Sequence, residues 1–317
     1  MFKINQFLFY LCIAITLTGC SDPKENKKKS ALKTDNETSL IKVAVVNYPL
    51  QYFVEQIGQS DVEVFFPVKQ GDPAYWKPDN KDIRSYQSAD IIFLNGANYA
   101  QWINYASLPD DKLINTSESF SKRYILIQDE VKHNHGPKGD HSHGTFAFTT
   151  WLDMQLAIQQ ADKVLDTLIK LKPGQQEYYK KNYHELVSKL KSIDEEFKIV
   201  ENNLSDTPVI FSHPVYQYFQ KAYAINGISV HWEPDSMPDD EALKKLSKKN
   251  LSHSARWMIW ENTPLPETKK RLQAINIESV VFNPASIKPE QGDFITIMLA
   301  NIHELKKIKQ KVRSNIE

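Results

Sequence analysis

Between Gly174 and Leu204 the apolar side chains fall at Tyr179, Tyr183, Leu186, Leu190, Ile193, Phe197, Val200 and Leu204, with gaps alternating four and three. That spacing makes one apolar face of a helix, and Lys, Glu, Asp and Ser fill the other positions. Pro173 suits the start of such a helix, where its missing N–H has no partner to lose. No Pro or Gly interrupts the run until Pro208. A helix of about 30 residues is roughly 45 Å long, enough to cross a whole domain. The same pattern fits a coiled-coil seam. It occurs once, however, with strand–helix alternation on both sides, and it is read here as a rigid strut joining two α/β lobes.

The first twenty residues are a targeting segment. Lys3 supplies the positive end, and the apolar run Phe7 to Ile15 is too short to span a bilayer as a mature helix. It ends in Leu17-Thr18-Gly19-Cys20, similar to the lipobox of bacterial lipoproteins, which implies that Cys20 is the first mature residue and carries lipid. An ordinary signal peptide or a single anchor helix is the alternative. Ser21 to Glu37 is polar, contains Lys27-Lys28-Lys29 and reads as a flexible tether. The expected division is leader 1–20, tether 21–38, first lobe 39–172, linking helix 173–205 and second lobe 206–317.

Cys12 and Cys20 both lie in the leader, so the mature fold has no disulfide, thiolate metal site or Cys nucleophile. Lysine and arginine number 39, aspartate and glutamate 39, and the folded part has no long basic run. That balance argues against nucleic-acid binding.

Apolar, β-branched runs mark the strands: Leu40 to Val46, Val62 to Val68, Ala89 to Gly96 and Tyr124 to Ile127 before the long helix. After it come Pro208 to Ser212, Ile228 to His231, Arg256 to Trp260 and Ser279 to Phe282. Helices fall between them, one following Asn47-Tyr48-Pro49, one capped by Asp79 and one bearing Tyr99, Trp102 and Ile103. In the second lobe they are Val215 to Tyr223, Asp239 to Lys249, Pro266 to Ala274 and Phe294 to about Val312. The fold class is therefore α/β: two lobes, each with a mostly parallel sheet flanked by helices, joined by one long linking helix. No Gly-x-Gly-x-x-Gly or Walker-type loop offers a cradle for nucleotide phosphates.

Four of the nine histidines lie in Lys132 to Gly144, as the pairs His133/His135 and His141/His143. On an extended backbone residues i and i+2 share a side, about 6.5–7 Å apart, so each pair can close on one metal ion. Gly136, Pro137 and Gly139 make this a loop, and a polar loop with no role is the bland alternative. His213 follows a strand and precedes a helix, where ligands gather in open α/β sheets, and Glu261 ends the next strand in the equivalent place. His231 and Glu233 close a third strand and add two candidate ligands. Each of these can equally be a satisfied structural residue or a helix cap. His184, His253 and His303 are background.

The order of lipobox, two lobes, long linking helix and His-rich loop resembles the cluster A-I substrate-binding lipoproteins of zinc and manganese ABC transporters. The similar motifs are Gly71-Asp72-Pro73-Ala74-Tyr75-Trp76-Lys77-Pro78, Ser88-Ala89-Asp90-Ile91-Ile92 with Asn95-Gly96, Trp151-Leu152-Asp153, and Phe211-Ser212-His213. The resemblance implies a non-catalytic receptor, anchored by lipid in a bacterial cell envelope and facing the periplasm or the outside. It implies a monomer that holds one divalent ion, zinc or manganese, as cargo between its lobes and passes it to an ABC permease. Such sites typically use three histidines and one carboxylate. At three of these positions the chain has Ala74, Thr149 and Asn283, and only His213 is retained.

Three arrangements follow. Metal binds in the cleft through His213, Glu261 and His231 or Glu233, with loop histidines folding over; or the loop is the metal site; or the cleft takes an organic molecule or chelate against Trp76, Trp151, Trp232, Trp260 and Tyr48. A zinc hydrolase is the rival from another class, with Glu261 or Glu233 as base, but His-Glu-x-x-His and Gly-x-Ser-x-Gly are both missing from the sequence.

Overall fold

The computed structural model describes residues 39–127, 133–134, 140–141 and 146–314, with 133–134, 140–141 and 309–314 described by their backbone alone. The leader, Cys20 and the tether lie outside these residues, as do His135 and His143. Two four-stranded parallel sheets organise the rest.

The first sheet takes β1 (Ile41–Val45), β2 (Val62–Phe65), β3 (Ile91–Leu94) and β4 (Leu113–Asn115), in the order β2-β1-β3-β4. After β1, the side chain of Asn47 accepts the Leu50 N–H and caps α1 (Tyr48–Gly58). Before β3 runs α2 (Asn80–Ser88), held at its start by a capping box between Asp79 and Asp82. Two expectations are corrected here. The fourth strand is Leu113–Asn115, paired with Ile92–Leu94. Tyr124 to Ile127 makes only an isolated antiparallel bridge, Leu126 to Phe146, and Leu126 is exposed, so burial does not favour a strand there. The segment bearing Trp102 and Ile103 is a 3-10 turn, Gln101–Tyr105, entered through left-handed backbone at Ala97, Asn98 and Ala100, which no regular helix accommodates.

Two very short strands, β5 (His133–Asn134) and β6 (Asp140–His141), pair antiparallel and set His133 opposite His141. Then come α3 (Met154–Leu171), capped by the Asp153 side chain, and α4 (Gln176–Leu204), entered through the turn Pro173–Gln175. The apolar face of α4 is buried at Tyr179, Leu186, Leu190, Ile193, Phe197, Val200 and Leu204, as the periodicity predicts.

The second sheet is built from β7 (Val209–Phe211), β8 (Gly227–Ser229), β9 (Trp257–Trp260) and β10 (Glu278–Val281). Its helices are α5 (Gln217–Ala222), α6 (Asp240–His253), α7 (Pro266–Gln273) and α8 (Phe294–Ser314). Its order, β10-β9-β7-β8, is that of the first sheet: the first strand of each half sits between the second and the third. Each sheet therefore has a topological switch point, between β1 and β3 and between β7 and β9, and that is where open α/β sheets present ligands.

The long helix is more than a bare strut. It packs along α1, α3 and α8. One apolar cluster runs from Val43 and Phe93 in the first sheet, through Leu190 and Phe197 of α4, to Phe211 and Phe282 in the second half. The two lobes share this core. Among the described residues no helix is long and apolar enough to cross a membrane.

Candidate metal centre

His213 stands two residues beyond β7, Glu261 one residue beyond β9, and Glu233 in the chain after β8. Backbone bonds continue past the strand ends and hold these segments together: Ser212 N–H donates to the Ile259 carbonyl at 2.9 Å and Trp232 N–H to the Ser212 carbonyl at 2.7 Å. One donor atom from each of His213, Glu233 and Glu261 then lies within 4.8 Å of the others, the only such group of three among the described residues. His213 Nδ1 is 3.5 Å from Glu233 Oε1, and its ring is buried.

Burial pushes the Glu261 carboxyl up to about 8, and the neighbouring charges of Glu233 and Asp72 push it the same way. Like charges gathered in a poorly solvated place are costly by themselves. A divalent cation among them removes that cost, because its own charge dominates the local field. One imidazole and two carboxylates suit zinc or manganese better than copper(I) or an iron–sulfur cluster.

His231 lies beside this group, its ring centroid 5.6 Å from that of His213 at 80°, but it is not one of the three. Of the loop histidines, His133 and His141 are opposed across β5 and β6. His253 Nε2 is 2.9 Å from the Val209 carbonyl, the structural role expected of a background histidine.

The three positions where the resemblance leads one to expect ligands have taken structural work. Ala74 is buried in the core, its N–H donating to Asp72 Oδ1 at 2.8 Å. Thr149 is buried and donates its hydroxyl to the Val215 carbonyl. Asn283 Oδ1 accepts the Ala285 N–H at 2.7 Å, and its own N–H donates to Asn301 Oδ1 at 2.8 Å.

A cleft of about 890 Å³ opens beside the three donors. Of the five aromatic side chains proposed above for its wall, only Trp76 lines it. Trp151, Trp260 and Tyr48 are fully buried in the cores, and Trp232 packs on Trp260 at 6.4 Å. Trp151 reaches across the molecule, donating from Nε1 to the Pro284 carbonyl at 2.7 Å. The aromatic wall is made instead by Tyr75, Trp76 and Phe148. Tyr75 and Phe148 are residues that sequence reading passed over, as is Asp72, whose charge reaches Glu261. The Gly71 to Pro78 motif was the signal for Asp72 and Tyr75, and Phe148 had none.

Parallel sheets paired on a backbone helix, with a donor cluster at a switch point, define a two-lobed solute-binding protein. A family model described as "Zinc-uptake complex component A periplasmic" matches residues 43–308, and the chain belongs to this family. It is similar to the high-affinity zinc uptake system protein ZnuA of Bacillus subtilis (strain 168), 24% identical, with 96% of this chain and 98% of the relative covered. It is 23% identical to the zinc-binding protein AdcA of Streptococcus pyogenes serotype M1, with 84% of this chain covered but only 55% of that protein. Among solved structures, the metal-dependent lipoprotein YcdH of Bacillus subtilis superposes with a TM-score of 0.72 at 22% identity, over 84% of this chain and 98% of that one.

Proposed function

We propose that the chain is the receptor component of a metal-uptake system, capturing one divalent ion, zinc before manganese, through His213, Glu233 and Glu261. The observation carrying this reading is the convergence of those three donors at the switch point of the second sheet. Family membership supports the transport role, and the resemblance of Leu17 to Cys20 to a lipobox supports a lipid anchor at Cys20 in the cell envelope. The partner is an ABC permease, and the receptor acts as a monomer without catalysing a reaction. His231 packs its ring beside His213, outside the donor group. The loop histidines His133, His135, His141 and His143 serve as an accessory capture site rather than the holding site.

Calorimetric titration of the mature, untagged protein with zinc and manganese tests this. One ion per chain is expected to bind more tightly than micromolar, with that affinity unchanged when 132–144 is deleted and lost in His213→Ala. Stoichiometric binding that survives His213→Ala and disappears with the loop would place the site in the loop instead.

A further inference from the structure

The donor set is one-sided. All three groups come from chain segments that follow strands of the second sheet, and among the described residues the first half adds no histidine to the cleft lining, where Thr149 stands. Zinc held by three protein donors keeps at least one coordination position for something else. The three donors line a space far larger than the ion. A cation with six waters takes on the order of 200 Å³, from about 30 Å³ per water, whereas the cleft of about 890 Å³ lies in the range of small-molecule pockets.

Three aromatic rings line the cleft together with the donors and suit something flat. Tyr75 and Phe148 meet edge to face with centroids 6.2 Å apart, and Trp76 stands edge-on to Trp102 at 5.7 Å. Each ring is held by a neighbour and needs little ordering when a ligand arrives, which favours tight binding. The charge around the cleft restricts the ligand further. Beyond the two ligand carboxyls, Asp72, Asp235 and Glu290 line it against two lysines, Lys77 and Lys288, and Lys288 already faces Glu55 at 3.8 Å. An anionic chelate of the citrate kind is repelled by such a surface, whereas a cationic complex is attracted to it and to the aromatic faces.

We infer that the cargo is the ion together with a small organic chelator, and that the chelator is uncharged and flat. This rests on the metal-receptor reading above and names the form in which the metal is taken. The protein donors and the chelator share the coordination sphere, while the rings of Tyr75, Trp76 and Phe148 cover the chelator's face.

Native mass spectrometry and calorimetry on the mature wild-type protein test this with four probes: zinc alone, 2,2′-bipyridine alone, a preformed 1:1 zinc–bipyridine complex, and zinc–citrate. The expected result is a ternary protein–zinc–bipyridine species. The complex should bind at least tenfold more tightly than zinc alone, with bipyridine alone and zinc–citrate no better than zinc. In Tyr75→Ala the ratio of the affinity for the complex to that for zinc alone should fall toward one. Zinc bound equally well with bipyridine excluded overturns the inference and leaves a receptor for the bare ion. Zinc refused in every arm overturns the metal-receptor reading as well.

Discussion

Asn47 Nδ2 donates to Asn95 Oδ1 at 3.1 Å, joining the chain two residues beyond β1 to the chain one residue beyond β3. In the second sheet the residues at the same two places are His213 and Glu261. The topology produces the same crevice twice. The first is closed by an amide pair, with Gln160 and Thr150 bonded to Asn95 beneath it. The second holds acid and imidazole donors.

Asn47→Ala removes both this bond and the cap of α1, whose Leu50 N–H it accepts at 3.1 Å. A lost cap costs about 1 kcal/mol and an orphaned buried amide about 1–3 kcal/mol more. Urea denaturation should show a loss of roughly 2–4 kcal/mol on those magnitudes. Zinc affinity should be unchanged, because the first crevice contributes no donor.

Glu261 makes both stability and binding depend on pH. Its folded value of about 8 lies above the ordinary 4.5, so the folded state holds a proton that the unfolded chain releases. The stabilisation is complete below 4.5 and is lost as the pH rises through about 8. Metal-free protein should melt progressively lower across that window, and Glu261→Gln should flatten this part of the profile. Zinc, which requires the carboxylate, should bind about tenfold more tightly per unit of pH up to that point, a slope also missing in Glu261→Gln.

Leu190 sits in the middle of α4, fully buried in the core that the two sheets share. Leu190→Ala should cost about 2–5 kcal/mol. Since the cluster spans both halves, fluorescence and circular dichroism should report one coincident transition. Two separated transitions would mean that the lobes unfold independently.

The positions at which the resemblance implies ligands can be refilled at different cost. Asp in place of Asn283 still accepts the Ala285 N–H, so Asn283→Asp should fold normally and, by adding a fourth donor, raise zinc affinity about tenfold or more. Ala74 is buried, so Ala74→His should overpack the core and lose about 1–3 kcal/mol, seen as a lowered melting temperature.

Periodicity and β-branching in the sequence were enough to determine the two α/β halves, the long helix, and seven of the eight strands of the two sheets near their observed places. Local patterns suffice there, because alternation and helical spacing record which side chains must be buried. His213 and Glu261 were legible for a related reason, since each directly follows an apolar strand. Tertiary structure alone decided that Glu233 completes the donor group and His231 stands outside it. It also decided that Leu113–Asn115, rather than Tyr124 to Ile127, completes the first sheet, and that Tyr75 and Phe148, rather than Trp151, face the cleft. These are distances between segments remote in the chain. They are set by strand order and by backbone bonds such as Trp232 N–H to Ser212, which no local pattern of residues encodes.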